Sequence, residues 1–241
     1  MDSSSQKLLT AEQVRAFHHT DFVEDQVRDF QTLMGGLREG VVVDMGGGCG
    51  FLAQRLSDAG GHRTRVIDMD PASIDECRAL GIDGELGDAL APSPRGDENA
   101  VCFNLVLHHL VGPSERETRA LQIKALQAWR GRVDAVFVNE YIYESFVPGA
   151  SGRMIFEITS SKLLSFVGKQ IGRVVRAFRA NTFGVGVRFR AHDEWVKLFR
   201  EAGYRVAGTA IGAAEPISPP LRSLLIKAIR RDSYRLEPLA S

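Results

Sequence analysis

The sequence has no long apolar run, no surplus of charge of either sign and very little cysteine. Nothing in its 241 residues approaches the roughly 20 consecutive apolar residues that a membrane-spanning helix requires. Lysine and arginine number 30 and aspartate and glutamate 30, so the formal net charge is zero. No global field therefore draws the chain to DNA, RNA or a lipid surface, and any such attraction has to come from a local patch. The three cysteines, Cys49, Cys77 and Cys102, are odd in number, scattered and without a Cys-x-x-Cys pair. That argues against a disulfide framework and against a zinc site, and it fits a reducing compartment. The first residues, Met1-Asp2-Ser3-Ser4-Ser5, are polar and lack a signal-peptide core. The expectation is a soluble, cytoplasmic protein with no bound metal. At 26.5 kDa, with 44% hydrophobic and 25% charged residues, the chain suits one large α/β domain with a full core.

One stretch organises the rest. Val41-Val42-Val43 is a β-branched run that ends in Asp44, followed by Gly46-Gly47-Gly48-Cys49-Gly50 and then by Leu52 and Leu56 at helical spacing. Strand, tight loop and helix in that order form the first half of a βαβ unit. The glycines allow the loop to turn sharply and bring bare backbone against a ligand, and the helix behind them offers free N–H groups. A dinucleotide loop needs Gly-x-Gly-x-x-Gly. Here Gly46 and Gly48 fit, but the third position is Phe51. The spacing that fits is Asp-x-Gly-x-Gly-x-Gly on Asp44, Gly46, Gly48 and Gly50.

That motif resembles motif I of the class I S-adenosylmethionine-dependent methyltransferases, and further elements recur in the order the resemblance requires. Asp68 closes a second strand, 22 residues after Gly46, where a carboxylate can accept both ribose hydroxyls. NAD enzymes carry an acid there too, so Asp68 supports nucleoside binding without choosing the cofactor. Met69 either lies against adenine or packs in the core. The resemblance makes Asp88, beside Ala89, an acceptor for the adenine amino group; a loop-capping role is the alternative. Asn104-Leu105-Val106-Leu107-His108-His109-Leu110 is similar to the family's stretch after strand 4, which implies that Asn104 and Leu105 lie beside the methionyl part.

The resemblance implies a Rossmann-like, seven-stranded, mostly parallel sheet with helices on both faces, preceded by N-terminal helices and interrupted by a helical lid. The single domain divides into an N-terminal cap (1–39), a cofactor core (40–143), the lid (144–190) and a closing helix and strands (191–241). Strands are expected at 41–45, 65–68, 84–86, 100–103 and 133–138, with one more near Val185–Phe189. Another is expected around Arg205–Ala207, and a last, antiparallel one at about 221–229. Helices are expected from Thr10, from Thr20-Asp21 to Met34, and over 50–59, Pro71–Leu80, 114–130 and His192–Ala202. His18 and His19 fall between the first two helices and read most simply as a solvated turn.

Methyl transfer from a sulfonium is an in-line displacement, so the protein positions, desolvates and, for a hydroxyl nucleophile, removes a proton. Candidates for that work are Glu140 and Tyr141, at the end of strand 5, and His108 or His109, with His109 preferred. Tyr143 and Glu144 are further pocket candidates, and packing is the alternative for both tyrosines. The implied cofactor is S-adenosylmethionine, leaving S-adenosylhomocysteine. The implied partner is a small-molecule acceptor, an acidic one among the options, with DNA excluded, RNA and membrane disfavoured, and pairing with a second copy left open. The lid carries eight Lys/Arg between Ser151 and Arg190 against one acid, Glu157. Leu163, Leu164, Phe166, Val167, Ile171, Val174, Val175 and Phe178 recur there at helical spacing among Lys162, Lys169, Arg173, Arg176 and Arg179. That reads as a basic amphipathic helix, either a lid, a site for an acidic acceptor, or a contact for a polyanion. The alternatives to a small-molecule enzyme are an RNA or macromolecular methyltransferase and a non-catalytic binding module.

Overall fold

A computed structural model of the chain describes residues 23–174 and 183–239; the side chains of Lys169 and of residues 171–174 are outside the description. Helix α1 (Val23–Leu33) precedes β1 (Val41–Met45), α2 (Phe51–Gly60), β2 (Arg63–Asp68), α3 (Pro71–Ala79), β3 (Asp83–Leu86) and β4 (Glu98–Asn104). A 3-10 turn at Leu107–His109 leads to α4 (Glu115–Gln127) and β5 (Ala135–Ser145). Then come α5 (Ala150–Ser160), α6 (Lys162–Val174), α7 (His192–Glu201), β6 (Tyr204–Ile211) and β7 (Ile226–Pro238). The seven strands lie in the order β3-β2-β1-β4-β5-β7-β6, with β7 antiparallel to both neighbours. This is the expected mixed sheet.

Period-2 alternation divides the strands between two cores. Val42, Ala100, Cys102, Ala135 and Phe137 face α1 and α2 through Val27, Phe30, Leu52 and Leu56. Val43, Met45, Val101, Phe103, Val136 and Val138 face the other way, onto Leu126 of α4, Trp129 in the turn that follows it, and Trp195 and Phe199 of α7. With both faces covered, the carboxyl edge of the parallel strands is where backbone and side chains remain available to a ligand.

Three boundaries differ from the expectation. The fifth strand does not stop at 138 but runs Ala135–Ser145, because β7 pairs with it along its whole length, from Val136 opposite Leu236 to Ser145 opposite Ile226. Glu140 and Tyr141 therefore sit inside a strand, not beyond its end. The last strand starts at Ile226, since Pro219–Leu224 forms a 3-10 turn closed by Leu225 at φ 59°. Its charged core, Arg230-Arg231-Asp232, hides the strand from a hydrophobicity reading; Asp232 is fully buried and bonds Arg230 and His192. Val185–Phe189 is not a strand but an irregular segment that ends in one bridge, Arg190 to Ile142. Of the N-terminal readings, the Thr10 helix and His18-His19 lie outside the described residues, as do Val175, Arg176, Phe178 and Arg179 of the lid.

Candidate active site

The glycine loop turns back against its own strand. Gly46 sits at φ 70°, where its N–H reaches the Ile67 carbonyl at 2.7 Å, and a Cβ there would lie 2.8 Å from Val106. The loop is thus pressed against the segment that follows β4, and only glycine satisfies both the left-handed backbone and the contact. Gly48 and Gly50 are left-handed as well. Gly47 is required for a different reason: a Cβ on it would stand 2.5 Å from Oδ2 of Asp44.

Beneath this loop Asp44 is 1% exposed, and its carboxyl meets no closely aligned hydrogen-bond donor, only a weak approach from the Ala53 N–H. Burial, and secondarily the nearby Asp68 charge, push its pKa up to about 7. Asp68 closes β2 and clips the loop to it. Its Oδ2 accepts the Gly48 N–H and its Oδ1 the Asp70 N–H, both at 2.9 Å. Met69 is half-buried beside it. Asp88 accepts the Leu90 N–H at 2.8 Å, the loop-capping contact, in front of the buried Ala89.

Across the loop a chain of amides ties α1 to the sheet. Asn104 Nδ2 donates to Gln26 Oε1 at 3.2 Å, Gln26 Nε2 donates to Asn139 Oδ1 at 3.3 Å, and Asn139 Nδ2 donates to Ser233 Oγ at 2.7 Å. Asn104 and Asn139 are register partners on neighbouring strands and so share a face. Asn104 Oδ1 is buried with no partner. A buried acceptor without a donor is costly, and here it sits where β4 meets the glycine loop. Leu105 follows at φ 58°, a strained position for leucine, held by its N–H on the Asn139 carbonyl.

The 3-10 turn brings His108 and His109 together with ring centroids 4.1 Å apart. Glu140, fully buried, is spent on this turn: it accepts the Leu107 N–H at 2.7 Å and stands 2.6 Å from Nδ1 of His108. Glu140 thus engages the turn and the His108 ring. With Nδ1 engaged by the carboxylate, the tautomer that leaves Nε2 as a proton acceptor is favoured. Burial, then His108, holds His109 well below the ordinary histidine range.

A wall of aromatic rings stands beyond the turn. Phe189 stacks on Tyr143 at 4.3 Å and 11°, lies 4.9 Å from His108, and meets Tyr141 edge-on at 6.0 Å. The Arg231 guanidinium lies 5.9 Å from the Tyr141 ring and 3.6 Å from Glu215. Burial first, then Glu215, raises the Tyr141 phenol above its ordinary value, so Tyr141 is a neutral hydrogen-bonding group at physiological pH and not a base.

Asp44, Gly46, Gly48, Gly50, Asp68, Asn104 and Leu105 thus converge on one edge of the sheet, with His109 and Tyr141 beside it. The sequence reading missed Gln26, Phe189 and Arg231 and gave no role of their own to Gly47 and Asn139; it weighed His108 beside His109 and preferred His109. Gln26 carries a usable signal, a polar residue on the apolar stripe of Val23, Val27 and Phe30. A polar cavity of about 460 Å³ lies at the opposite end of the strands, lined by Val41, Arg63, Arg65 and Asp97. Its buried cation, Arg65, is already bonded to Asp83, Asp97 and Glu98.

No protein-family model and no curated protein matches this sequence. Solved structures do. The [4+2]-cyclase SpnF matches with a TM-score of 0.59 at 12% identity, over 92% of this chain and 82% of that one. Magnesium protoporphyrin IX methyltransferase ChlM from Synechocystis PCC 6803, solved with bound SAH, matches with a TM-score of 0.54 at 15% identity, over 96% and 89%. The mitomycin 7-O-methyltransferase MmcR matches with a TM-score of 0.54 at 17% identity, over 90% of this chain and 52% of its own, so the chain spans about half the length of that protein. Sheet order, glycine loop and these likenesses agree that the chain has the fold of the class I S-adenosylmethionine-dependent methyltransferases.

Proposed function

We propose that the chain binds S-adenosylmethionine at the glycine-loop edge and transfers its methyl group to a hydroxyl of a small-molecule acceptor, with His108 taking the proton. One observation carries the cofactor choice. The loop is flanked by two acids, one of them buried with only a weak approach from the Ala53 N–H to its carboxyl, and residues 44–54 contain no lysine or arginine. A ligand bearing positive charge relieves that arrangement, whereas the diphosphate of a dinucleotide aggravates it. Asp68 is placed to accept the ribose hydroxyls, with Gly48 and Asp70 N–H groups fixing its orientation. The unpartnered Asn104 Oδ1 is available to an ammonium group of the same ligand.

When bound, the cofactor supplies a methyl group on a sulfonium leaving group. Methyl transfer to an acceptor hydroxyl would break the C–S bond as the C–O bond forms, and Nε2 of His108 would take the hydroxyl proton. Glu140 keeps His108 in the accepting tautomer and stabilises the imidazolium that results, an orienting role at 2.6 Å. Tyr141, Tyr143 and Phe189 supply apolar surface for an acceptor ring and exclude water. Two of the structural neighbours are named for the methylation of mitomycin and of magnesium protoporphyrin IX, which favours a biosynthetic small molecule as acceptor.

The basic lid gives less support to an acidic or polyanionic acceptor than its composition suggests. Arg188 and Arg190 are buried and bonded to Glu115, Glu194 and Gln122, so two of its eight cations serve the fold. The test is a screen of phenols, alcohols, amines and thiols with methyl-labelled cofactor. Turnover of hydroxyl acceptors by the wild type, and its loss in His108→Ala with cofactor affinity kept, is expected. Turnover confined to amines, or undiminished in His108→Ala, contradicts the assignment.

A further inference from the structure

The lid helix is docked the wrong way round for a simple lid. Helix α6 meets the body through its small residues. Ser165 is buried, with its hydroxyl bonded to the Ile158 and Thr159 carbonyls, and Gly168 packs so closely that a Cβ there would stand 2.6 Å from Phe183. The large apolar residues point outward: Leu163 is 72% exposed, Phe166 62% and Val167 44%. They sit at i, i+3 and i+4, one continuous stripe on the face opposite Ser165 and Gly168. A stripe of this kind on a helix held at the surface is a contact surface and not a packing remnant.

Charge says what the contact is. The lid's only acid in Ser151–Arg190 is Glu157, and after the buried Arg188 and Arg190 are set aside six cations remain, among them Arg153, Lys162, Lys169 and Arg173. In sequence, positions 162, 169 and 173 recur at seven and four residues, a helical spacing that forms a basic row beside positions 163, 166 and 167, and the described Lys162 is exposed. A second copy docking antiparallel through this stripe by two-fold symmetry would bring the two basic rows onto one side, which disfavours that pairing. An apolar stripe bordered by cations is what a helix lying in the headgroup layer of an anionic bilayer presents. No described helix is long and apolar enough to cross a membrane, so the contact is peripheral.

We propose that α6 seats the protein on an anionic lipid surface, with Leu163, Phe166 and Val167 entering the interface and the basic row meeting the headgroups. The neutral overall charge is no obstacle, since the attraction is local. The experiment is vesicle flotation of the full chain with phosphatidylglycerol/phosphatidylcholine vesicles and with pure phosphatidylcholine. Co-flotation with the anionic vesicles only, weakened by salt and reduced about tenfold or more in Leu163→Ser/Phe166→Ser, is expected. The double variant should keep its melting temperature and cofactor affinity, because both side chains face solvent. In parallel, Phe166→Trp should shift its emission to the blue on anionic vesicles, against the constant background of the buried Trp129 and Trp195. No co-flotation overturns the proposal, as does equal flotation of the double variant. Self-association abolished by the double variant without lipid binding would assign the stripe to a second copy, and binding to an RNA homopolymer without vesicle binding would assign the basic row to nucleic acid; either result overturns it too.

Discussion

The glycine-loop edge and the aromatic wall beside it are made by different means. The loop edge is local: Asp44, Gly46, Gly47, Gly48 and Gly50 lie within seven residues, and Asp68 reaches them across one strand pair. The wall is assembled from His108, Glu140, Tyr141, Tyr143, Phe189 and Arg231, drawn from β5, β7, the turn after β4 and the segment that returns from the lid. The first needs backbone geometry and so depends on glycine and on acids at strand ends. The second needs side-chain surface and so depends on register, above all the long pairing of β5 with β7. A cofactor common to many acceptors suits a compact, self-contained cradle, and a particular acceptor suits a wall that can be rebuilt piece by piece.

Changes that separate the two regions test this division. The largest effect is expected from His108→Ala, with turnover lowered about 10²–10⁴-fold and cofactor affinity nearly unchanged, by single-turnover kinetics beside calorimetry. A parallel loss of cofactor binding would mean that the two regions are one unit. Asp44→Asn should come next. Asp44 has a folded pKa raised to about 7 over an unfolded value near 4, so the folded state holds a proton that the unfolded state releases. Stability of the ligand-free protein should therefore fall as pH rises from about 4 to 7 and stay low above that, by an amount on the order of a few kcal/mol. Thermal melts of Asp44→Asn should lose most of this slope, and a slope of full size in the variant would remove Asp44 as its source. Cofactor binding near pH 7 should also release a proton, read as a dependence of binding heat on buffer ionisation.

Asp68→Ala should weaken cofactor binding by more than about tenfold while the fold is kept, since it removes an acid that orders the loop and that, on the proposed reading, accepts the ribose hydroxyls. Unchanged affinity refutes the ribose assignment. Smallest is the effect of Arg173→Glu/Arg176→Glu on acceptor KM. If the basic row serves a lipid surface, KM for a soluble acceptor should stay within about twofold. A large rise would return the lid to the acceptor site.

The local region was the legible one. The spacing of Asp44, Gly46, Gly48 and Gly50 marks the loop because only a few residue types tolerate that backbone, and β1 and β2 read as buried β-branched runs. Gly47 escaped because its constraint is the Asp44 side chain below it and not its own backbone. The wall was barely legible. Glu140 was found but its work was not, since its partner His108 is 32 residues away and only the turn brings them together. His109 was preferred to its neighbour, although His108 is the one whose Nδ1 is engaged. The last strand was anticipated only as far as 229; residues 230–238 escaped because their charges pair with one another, Asp232 with Arg230 and Arg235 with Glu237. The outward stripe of α6 has the same helical period as an inward one, so periodicity alone could not say which way it points.

Calorimetric titration with S-adenosylmethionine, S-adenosylhomocysteine and NAD tests the central claim most directly. The account predicts binding of the first two in the micromolar range and none of NAD. Binding of NAD, or of none of the three, would contradict it.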